Sequence, residues 1–202
     1  MPLFRLTFVF LLWPFWVQAD SLPPSLPALY AVTGVASDDS LNMRDQPNGS
    51  ARILLALPHD ATDLQVTQLS REGNWAYISR GEVSGWVAQR YLQRQPDSVD
   101  AYGLPRGLRC FGTEPFWTVR FTQAGLAVMT PERTATHPIT FHAPSAENVA
   151  LGLGGFIFEW IADGQPVRGH ILPGRCSDGM SDTIYGLHYI DTYFGNAGCC
   201  SL

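Results

Sequence analysis

The sequence contains no lysine, so each of its 13 basic residues is arginine. Without a lysine amine the protein can form no Schiff base with a carbonyl substrate, and it has no catalytic ammonium group. A compositional bias of the genome would produce the same absence. Acidic residues outnumber basic ones, and the formal net charge is -5 at pH 7. This charge argues against nucleic acid or an anionic lipid surface as the partner, since both would repel the protein.

Long apolar runs are also missing, except near the N-terminus. There Arg5 is the only charge before an apolar run over residues 6–17, which ends on the small residues of Val-Gln-Ala. This pattern predicts a signal peptide over residues 1–19 that is cleaved after Ala19. A membrane anchor is the alternative, but the run has roughly a dozen residues and a span needs about 20. With no cysteine near the cut, we expect a periplasmic or secreted protein without a lipid anchor or stable membrane insertion.

Cysteine is scarce and confined to the second half of the chain. An even number of cysteines in an exported protein predicts disulfides. Adjacent residues rarely bridge, which leaves two pairings: Cys110 with either member of the final pair, and Cys176 with the other. A C-x-x-C ligand spacing is absent, so we predict no metal site and no cofactor. The predicted disulfide cysteines are Cys110, Cys176, Cys199 and Cys200.

Short alternating segments separated by turns make up most of the remaining chain, with no sustained helical period. They predict an all-β protein: a small N-terminal barrel over residues 30–92 and a second, disulfide-bonded antiparallel barrel-like domain over residues 108–202. Residues 20–29 are rich in proline and predict a polyproline-like segment. Residues 93–107 are polar, with proline and glycine, and predict a linker.

Three runs within residues 30–92 match a known family in order and spacing. They are Leu-Asn-Met-Arg-Asp-Gln-Pro at 41–47, Asn-Trp-Ala-Tyr-Ile at 74–78, and Gly-Trp-Val at 85–87 followed by Tyr-Leu at 91–92. They resemble the L-N-V-R-x-x-P, W-x-x-V and G-W-V-x-x-x-Y-L motifs of bacterial SH3 (SH3b) domains. The resemblance implies an SH3-like, non-catalytic module that holds a protein to a cell-wall peptide or another envelope ligand.

Ligand binding by such a barrel would use its aromatic face, because flat rings offer contact area at a low entropy cost. Two alternatives remain open: Tyr77 and Trp86 could fill the barrel core, and Arg44 could be structural, held by Asp45 or a nearby carbonyl. A further hypothesis is that the proline-rich segment folds back over the aromatic face as an internal ligand. The candidate ligand-binding residues are Asn42, Arg44, Trp75, Tyr77, Trp86 and Tyr91.

The second half carries three motifs: Gly-Thr-Glu-Pro-Phe-Trp at 112–117, Cys-Ser-Asp-Gly-Met-Ser-Asp at 176–182, and Gly-Cys-Cys at 198–200. Together they resemble a bacterial envelope domain from which no activity can be transferred. Asp178-Gly179 indicates a turn, which we expect Asp182 to cap. The residues of the possible functional loop are Glu114, Asp178, Ser181 and Asp182.

Catalysis is not expected, because roughly 95 residues of barrel leave little room for the deep sugar cleft that a carboxylate pair would flank. The sequence also has no G-x-S-x-G motif and no phosphate-binding loop. We therefore expect a non-enzymatic binding or adaptor protein that docks a cell-wall peptide or an envelope protein. The alternatives are a lysozyme-inhibitor-like protein that inserts the 176–182 loop, and a wall-hydrolase accessory with catalysis in the second domain.

Overall fold

The computed structural model describes residues 26–96, 104–142, 155–192, 195 and 197–202. The predicted signal peptide and residues 20–25 of the proline-rich segment lie outside the described residues. The described chain forms two antiparallel β-sheets, which confirms the predicted all-β class. Within the described ranges, no helix has the length and apolar character that a membrane span requires.

Seven strands form the N-terminal sheet, in the order β3-β2-β6-β5-β4-β1-β7. A 3-10 turn, Gln89–Tyr91, connects the last two strands in sequence. The strands are β1 (Ala28–Val32), β2 (Ser40–Arg44), β3 (Ile53–Pro58), β4 (Leu64–Leu69), β5 (Trp75–Arg80), β6 (Val83–Ala88) and β7 (Leu92–Arg94).

Apart from Tyr30, the buried core of this sheet consists of non-aromatic apolar side chains, and the aromatic residues on β5 and β6 lie outside it. Successive side chains of a strand point to opposite faces, so Ala76 and Ile78 point inward and are fully buried. Tyr77 and Trp86 are half-buried on the outer face. The alternative in which these two rings fill the core is therefore wrong.

A close approach of two strands explains the glycine of the Gly-Trp-Val run. A Cβ at Gly85 would lie 2.7 Å from the carbonyl oxygen of Arg44 and 2.8 Å from the Cγ of Met43. Only glycine therefore allows β6 to approach β2 this closely.

The sheet continues past the boundary predicted at residue 92. Arg94 pairs with Tyr30 of β1, and the amide of Gln95 donates to the carbonyl of Leu29 at 2.9 Å. At the other end of the predicted linker, Leu104 is fully buried in the core of the second sheet. The described residues at the two ends of the predicted linker are therefore part of the sheets, one end in each sheet.

Nine strands form the second sheet, in the order β11-β10-β9-β8-β16-β15-β14-β13-β12. Gln123 and Ala124 form the turn between the second and third of them in the chain. The strands are β8 (Arg109–Thr113), β9 (Phe116–Thr122), β10 (Gly125–Met129), β11 (Thr134–His137), β12 (Ile139–His142), β13 (Phe156–Ala162), β14 (Gln165–Ser177), β15 (Ile184–Asp191) and β16 (Ala197–Ser201).

This sheet curls into a nearly closed barrel. Its strands follow one another around the barrel in chain order, and the last strand, β16, pairs with the first, β8. The two edge strands, β11 and β12, are separated in sequence only by Pro138, which has no amide hydrogen to continue a β-ladder. Aromatic rings fill the interior: Trp117 lies 4.9 Å from Tyr189 between ring centroids, and Phe158 lies 5.5 Å from Trp160.

Two disulfides hold β16 to its surroundings, which confirms that all four cysteines are bridged. Cys200 is bonded to Cys110, its partner across the β8–β16 ladder, and Cys199 is bonded to Cys176 at the end of β14. Of the two pairings that the sequence left open, this is the one formed. The bridges indicate an oxidising, extracytoplasmic compartment.

The two sheets contact each other directly. Where β15 begins, the Ser84 hydroxyl donates to the carbonyl of Asp182 at 2.7 Å, and the Ser79 hydroxyl donates to the carbonyl of Ile184 at 3.0 Å. The Ile184 amide in turn donates to both hydroxyl oxygens, at 3.1 and 3.2 Å. The β5–β6 hairpin of the N-terminal sheet therefore holds the first residue of β15 in the barrel.

Replacing Ser79 and Ser84 together with alanine should expose the Ile184 amide, because its described acceptors are removed. We expect roughly a tenfold increase in the hydrogen-exchange rate of this amide, corresponding to one lost hydrogen bond. Ser50→Ala is the control, since the Ser50 hydroxyl bonds only to Asn48 of its own turn. An unchanged exchange rate in the double variant would contradict this role of the two hydroxyls.

Candidate functional site

A pocket of about 620 Å³ lies in the N-terminal sheet, between β2, the start of β5 and the 3-10 turn. Asn42 and Arg44 contribute from β2, where they alternate with the buried Leu41 and Met43. The structure thus brings together four of the six predicted ligand-binding residues. They are Asn42, Arg44, Trp75 and Tyr91.

The other two predicted residues, Tyr77 and Trp86, are not among the residues that line this pocket. They are cross-strand partners, and their rings pack edge to face with centroids 5.0 Å apart. The guanidinium of Arg175, from the barrel, lies 5.3 Å from the centroid of the Tyr77 ring. The predicted aromatic face is therefore divided, and Tyr77 contacts the second sheet.

Strand register explains this division. Trp75 is opposite Ala88, whose small side chain also lines the pocket and leaves one flank of the indole open. Tyr77, two residues further along β5, is opposite Trp86, which covers it. Directly opposite residues are the closest cross-strand neighbours, so register decides which ring lines the pocket.

Arg44 has a structural contact within the pocket. Its Nη1 donates to the carbonyl of Ala51 at 2.6 Å. Asp45 instead forms an ion pair with Arg52 at 3.3 Å. Of the proposed supports for Arg44, a carbonyl is therefore the one observed, and it holds the guanidinium at the pocket wall.

Two charged residues of the pocket were not predicted from the sequence. Arg90 lies over the ring of Tyr91, 4.7 Å from its centroid, and its Nη2 donates to the Tyr91 hydroxyl at 3.4 Å. Asp39 accepts the amide of Ser40 at 2.7 Å. Arg90 directly precedes the tyrosine of the Gly-Trp-Val-x-x-x-Tyr-Leu run, and this adjacency was the signal available in the sequence.

The internal-ligand hypothesis places the proline-rich segment over the aromatic face, and residues 20–25 lie outside the described residues. The described chain begins at the opposite end of β1 from the pocket. Pro27 precedes β1, and its side chain packs against Gly186 of β15. Gly34, which lines the pocket, follows β1. The position of Pro27 thus gives the hypothesis no support.

A second concave surface, of about 430 Å³, lies on the barrel. It brings the first two motifs of the second half together: the hydroxyl of Thr113 donates to the carbonyl of Asp178 at 3.3 Å. On this surface Phe116 is 57% exposed and Met180 is 67% exposed. Its rim is therefore formed by two apolar side chains, one from each motif.

The glycines of the first and third motifs accommodate one indole ring. A Cβ at Gly112 would overlap the ring of Trp117. A Cβ at Gly198 would lie 2.7 Å from the same ring and would also overlap the carbonyl oxygen of Phe111. Trp117 is buried in the barrel core. The first and third motifs therefore meet at this ring, and the second motif is joined to the third by the Cys176–Cys199 disulfide.

Asp178 caps the turn in the second motif. Its Oδ1 accepts the amides of Met180 and Ser181 at 3.0 and 3.3 Å. Its Oδ2 accepts the hydroxyl of Tyr185 at 3.4 Å. Burial, together with the Asp178 carboxylate, raises the pKa of Tyr185.

The prediction that Asp182 caps this turn is wrong, because a side chain at the first position of the turn reaches the amides that follow it. The Asp182 carbonyl instead accepts the hydroxyl of Ser84. Ser181 accepts the amide of Thr183 at 3.2 Å, and Glu114 is exposed in the β8–β9 turn. In the described ranges, no group of three or more acidic, histidine or cysteine side chains is placed to hold a metal ion.

Comparisons with known proteins give no assignment: no protein-family model matches the chain, and no curated protein shows significant similarity to it. The functional proposal therefore depends on the residues of the pocket.

Proposed function

We propose that the protein is an exported, non-catalytic binding protein of the bacterial cell envelope, whose N-terminal pocket binds a cell-wall peptide. In this proposal the N-terminal sheet is a bacterial SH3 barrel, as the motifs at 41–47, 74–78 and 85–92 suggest. The N-terminal apolar run and the two disulfides support a periplasmic or secreted location.

The observation that carries the proposal is the pocket between β2, β5 and the 3-10 turn. Its volume of about 620 Å³ is typical of sites for small ligands. Trp75 and Tyr91 provide flat apolar surfaces, and Asn42 provides an amide that can both donate and accept hydrogen bonds. Such a combination can hold an extended peptide by its backbone and its side chains.

The contacts of Asp178 also favour binding over catalysis. A glycoside hydrolase would need two carboxylates that face one cleft. Both carboxylate oxygens of Asp178 already accept hydrogen bonds, Oδ1 from amides of its own turn and Oδ2 from the Tyr185 hydroxyl on β15, and Glu114 is exposed in a turn. A wall-hydrolase accessory is therefore less well supported by these residues than a binding protein.

The exposed side chain of Met180 favours a second candidate function, inhibition of a lysozyme-like enzyme. Asp178 and the disulfide at Cys176 hold this loop rigidly, and a rigid protruding loop is what an inhibitor inserts into a cleft. Adding the protein to a lysozyme assay tests this candidate. Inhibition that Met180→Ser relieves would support it.

Replacing Trp75 with alanine should weaken binding to purified sacculi at least about tenfold, because aromatic anchors typically contribute about 2 kcal/mol or more. A sedimentation assay with the mature protein measures this effect. Trp86→Ala is the matched control: it removes the same half-buried side chain from the adjacent strand, outside the pocket. Equal losses in both variants, or full binding by Trp75→Ala, would place the site elsewhere.

A further inference from the structure

Charge in the pocket is opposite in sign to that of the whole protein. The chain carries a net charge of -5, whereas two guanidinium groups, those of Arg44 and Arg90, line the pocket with one carboxylate, that of Asp39. In the described part of the chain, neither arginine forms an ion pair. A locally positive pocket in an acidic protein indicates that its ligand is an anion.

Both guanidinium groups are held in place by contacts within the protein. Arg44 donates to the carbonyl of Ala51, and Arg90 rests on the ring of Tyr91. A guanidinium has five N–H donors in a fork that matches a carboxylate, and the described bonds use one donor of each. A ligand that engages the remaining donors would therefore lose little side-chain entropy on either arginine.

The dimensions of the pocket match a short peptide. Its volume of about 620 Å³ lies in the range of small-ligand sites and accommodates a few peptide residues. Trp75 and Tyr91 offer apolar faces beside the charged groups. The occupant therefore combines a carboxylate with a short, partly apolar backbone.

We infer that the pocket selects short peptides that carry free carboxylates, as wall stem peptides do. The guanidinium of Arg90 binds a carboxylate of the peptide, and Arg44 lines the same pocket. This inference rests on the proposed function, in which the same pocket binds a wall peptide. It adds the ligand group that is recognised and the residue that recognises it.

Two forms of one probe test the inference: the pentapeptide L-Ala-γ-D-Glu-L-Lys-D-Ala-D-Ala as the free acid, and the same peptide with its carboxyl groups amidated. Calorimetric titration of the mature protein should show at least about tenfold tighter binding of the free acid, as expected for charge-assisted hydrogen bonds. This preference should decrease as NaCl is raised from about 0.05 M to about 0.5 M, because salt screens the interaction.

Arg90→Gln should remove most of this preference, and the guanidinium of Arg44, which also lines the pocket, should retain the remainder. Arg80→Gln is the matched control, because it makes the same charge change on an exposed residue at the opposite end of β5, about 16 Å from Trp75 along the strand. Arg44 is not replaced, since its bond to Ala51 also supports the β2–β3 connection. Circular dichroism melts confirm that both variants fold.

One outcome would overturn the inference and leave the proposed function in place. In it, the unmodified protein binds the two peptides equally, and Trp75→Ala binds neither. A preference lost equally in Arg80→Gln would overturn it too, because general charge would then explain the selectivity. If neither peptide binds, both the inference and the proposed peptide ligand are wrong.

Discussion

Replacing Cys110 and Cys200 with alanine should lower the free energy of unfolding of the barrel by about 4 kcal/mol. This bridge joins residues 90 positions apart, and in the chain-entropy model its loss returns conformational freedom mainly to the unfolded chain. Both cysteines are fully buried, so alanine preserves an apolar contact. Urea unfolding of the oxidised variant, followed by circular dichroism, measures the change.

Removal of the other bridge is the control. Cys176 and Cys199 are 23 positions apart, so their replacement should cost about 1 kcal/mol less than that of the first pair. The N-terminal sheet contains no cysteine, so reductant should lower its stability less than that of the barrel, with which it shares the contacts of Ser79 and Ser84. A loss below about 1 kcal/mol for the Cys110–Cys200 pair would show that the bridge adds little to a barrel already closed by hydrogen bonds.

Gly198→Ala should destabilise the barrel by about 3 kcal/mol, at the upper end of the range for overpacked cores. The added methyl would overlap the backbone oxygen of Phe111 on β8 and press against Trp117. The Phe111 oxygen is a backbone atom of a paired strand, so it cannot shift away from the added methyl as the end of a flexible side chain could. The midpoint of urea unfolding should therefore fall, with an unchanged dependence on urea concentration.

Gly49→Ala makes the same change in open space, since no atom lies within 4 Å of a Cβ at that position. Its effect should stay within about 0.5 kcal/mol, as for most surface substitutions. Equal stability of Gly198→Ala and Gly49→Ala would mean that β8 and β16 separate without cost, which contradicts the packing described for the third motif.

Alternation predicts those strands that have one apolar face. In Phe116–Thr122, after its first residue, and in Ile139–His142, apolar and polar residues alternate along the strand. The sequence did not predict β16, since Ala197–Ser201 contains small residues and cysteines with no apolar alternation. This strand forms because it pairs with β8 and β15 and is fixed by two disulfides. Pairing and disulfide bonding, rather than the residue pattern of the strand itself, therefore determine it, and one of its partners, β8, is distant in sequence.

In the candidate site too, the local sequence predicts some residues, whereas the place of others depends on strand pairing. Motif spacing predicts Asn42 and Arg44, because both lie on one strand with a fixed period. The exclusion of Tyr77 depends on the register of β5 against β6, which places Trp86 opposite it. The sequence shows that Arg90 is next to Tyr91, but it does not show that the guanidinium lies over the Tyr91 ring and lines the pocket, because both depend on the folded backbone.

The order in which the cysteines occur has a consequence for biosynthesis. When a chain is threaded across a membrane from its N-terminus, Cys110 and Cys176 reach the oxidising side before either native partner does. The bridge that these two can form at that stage is absent from the folded protein, in which they are bonded to Cys200 and Cys199. If the protein is exported in this way, as proposed, correct oxidation requires both thiols to stay reduced until the last strand has crossed, or a premature bridge to be exchanged afterwards by thiolate attack.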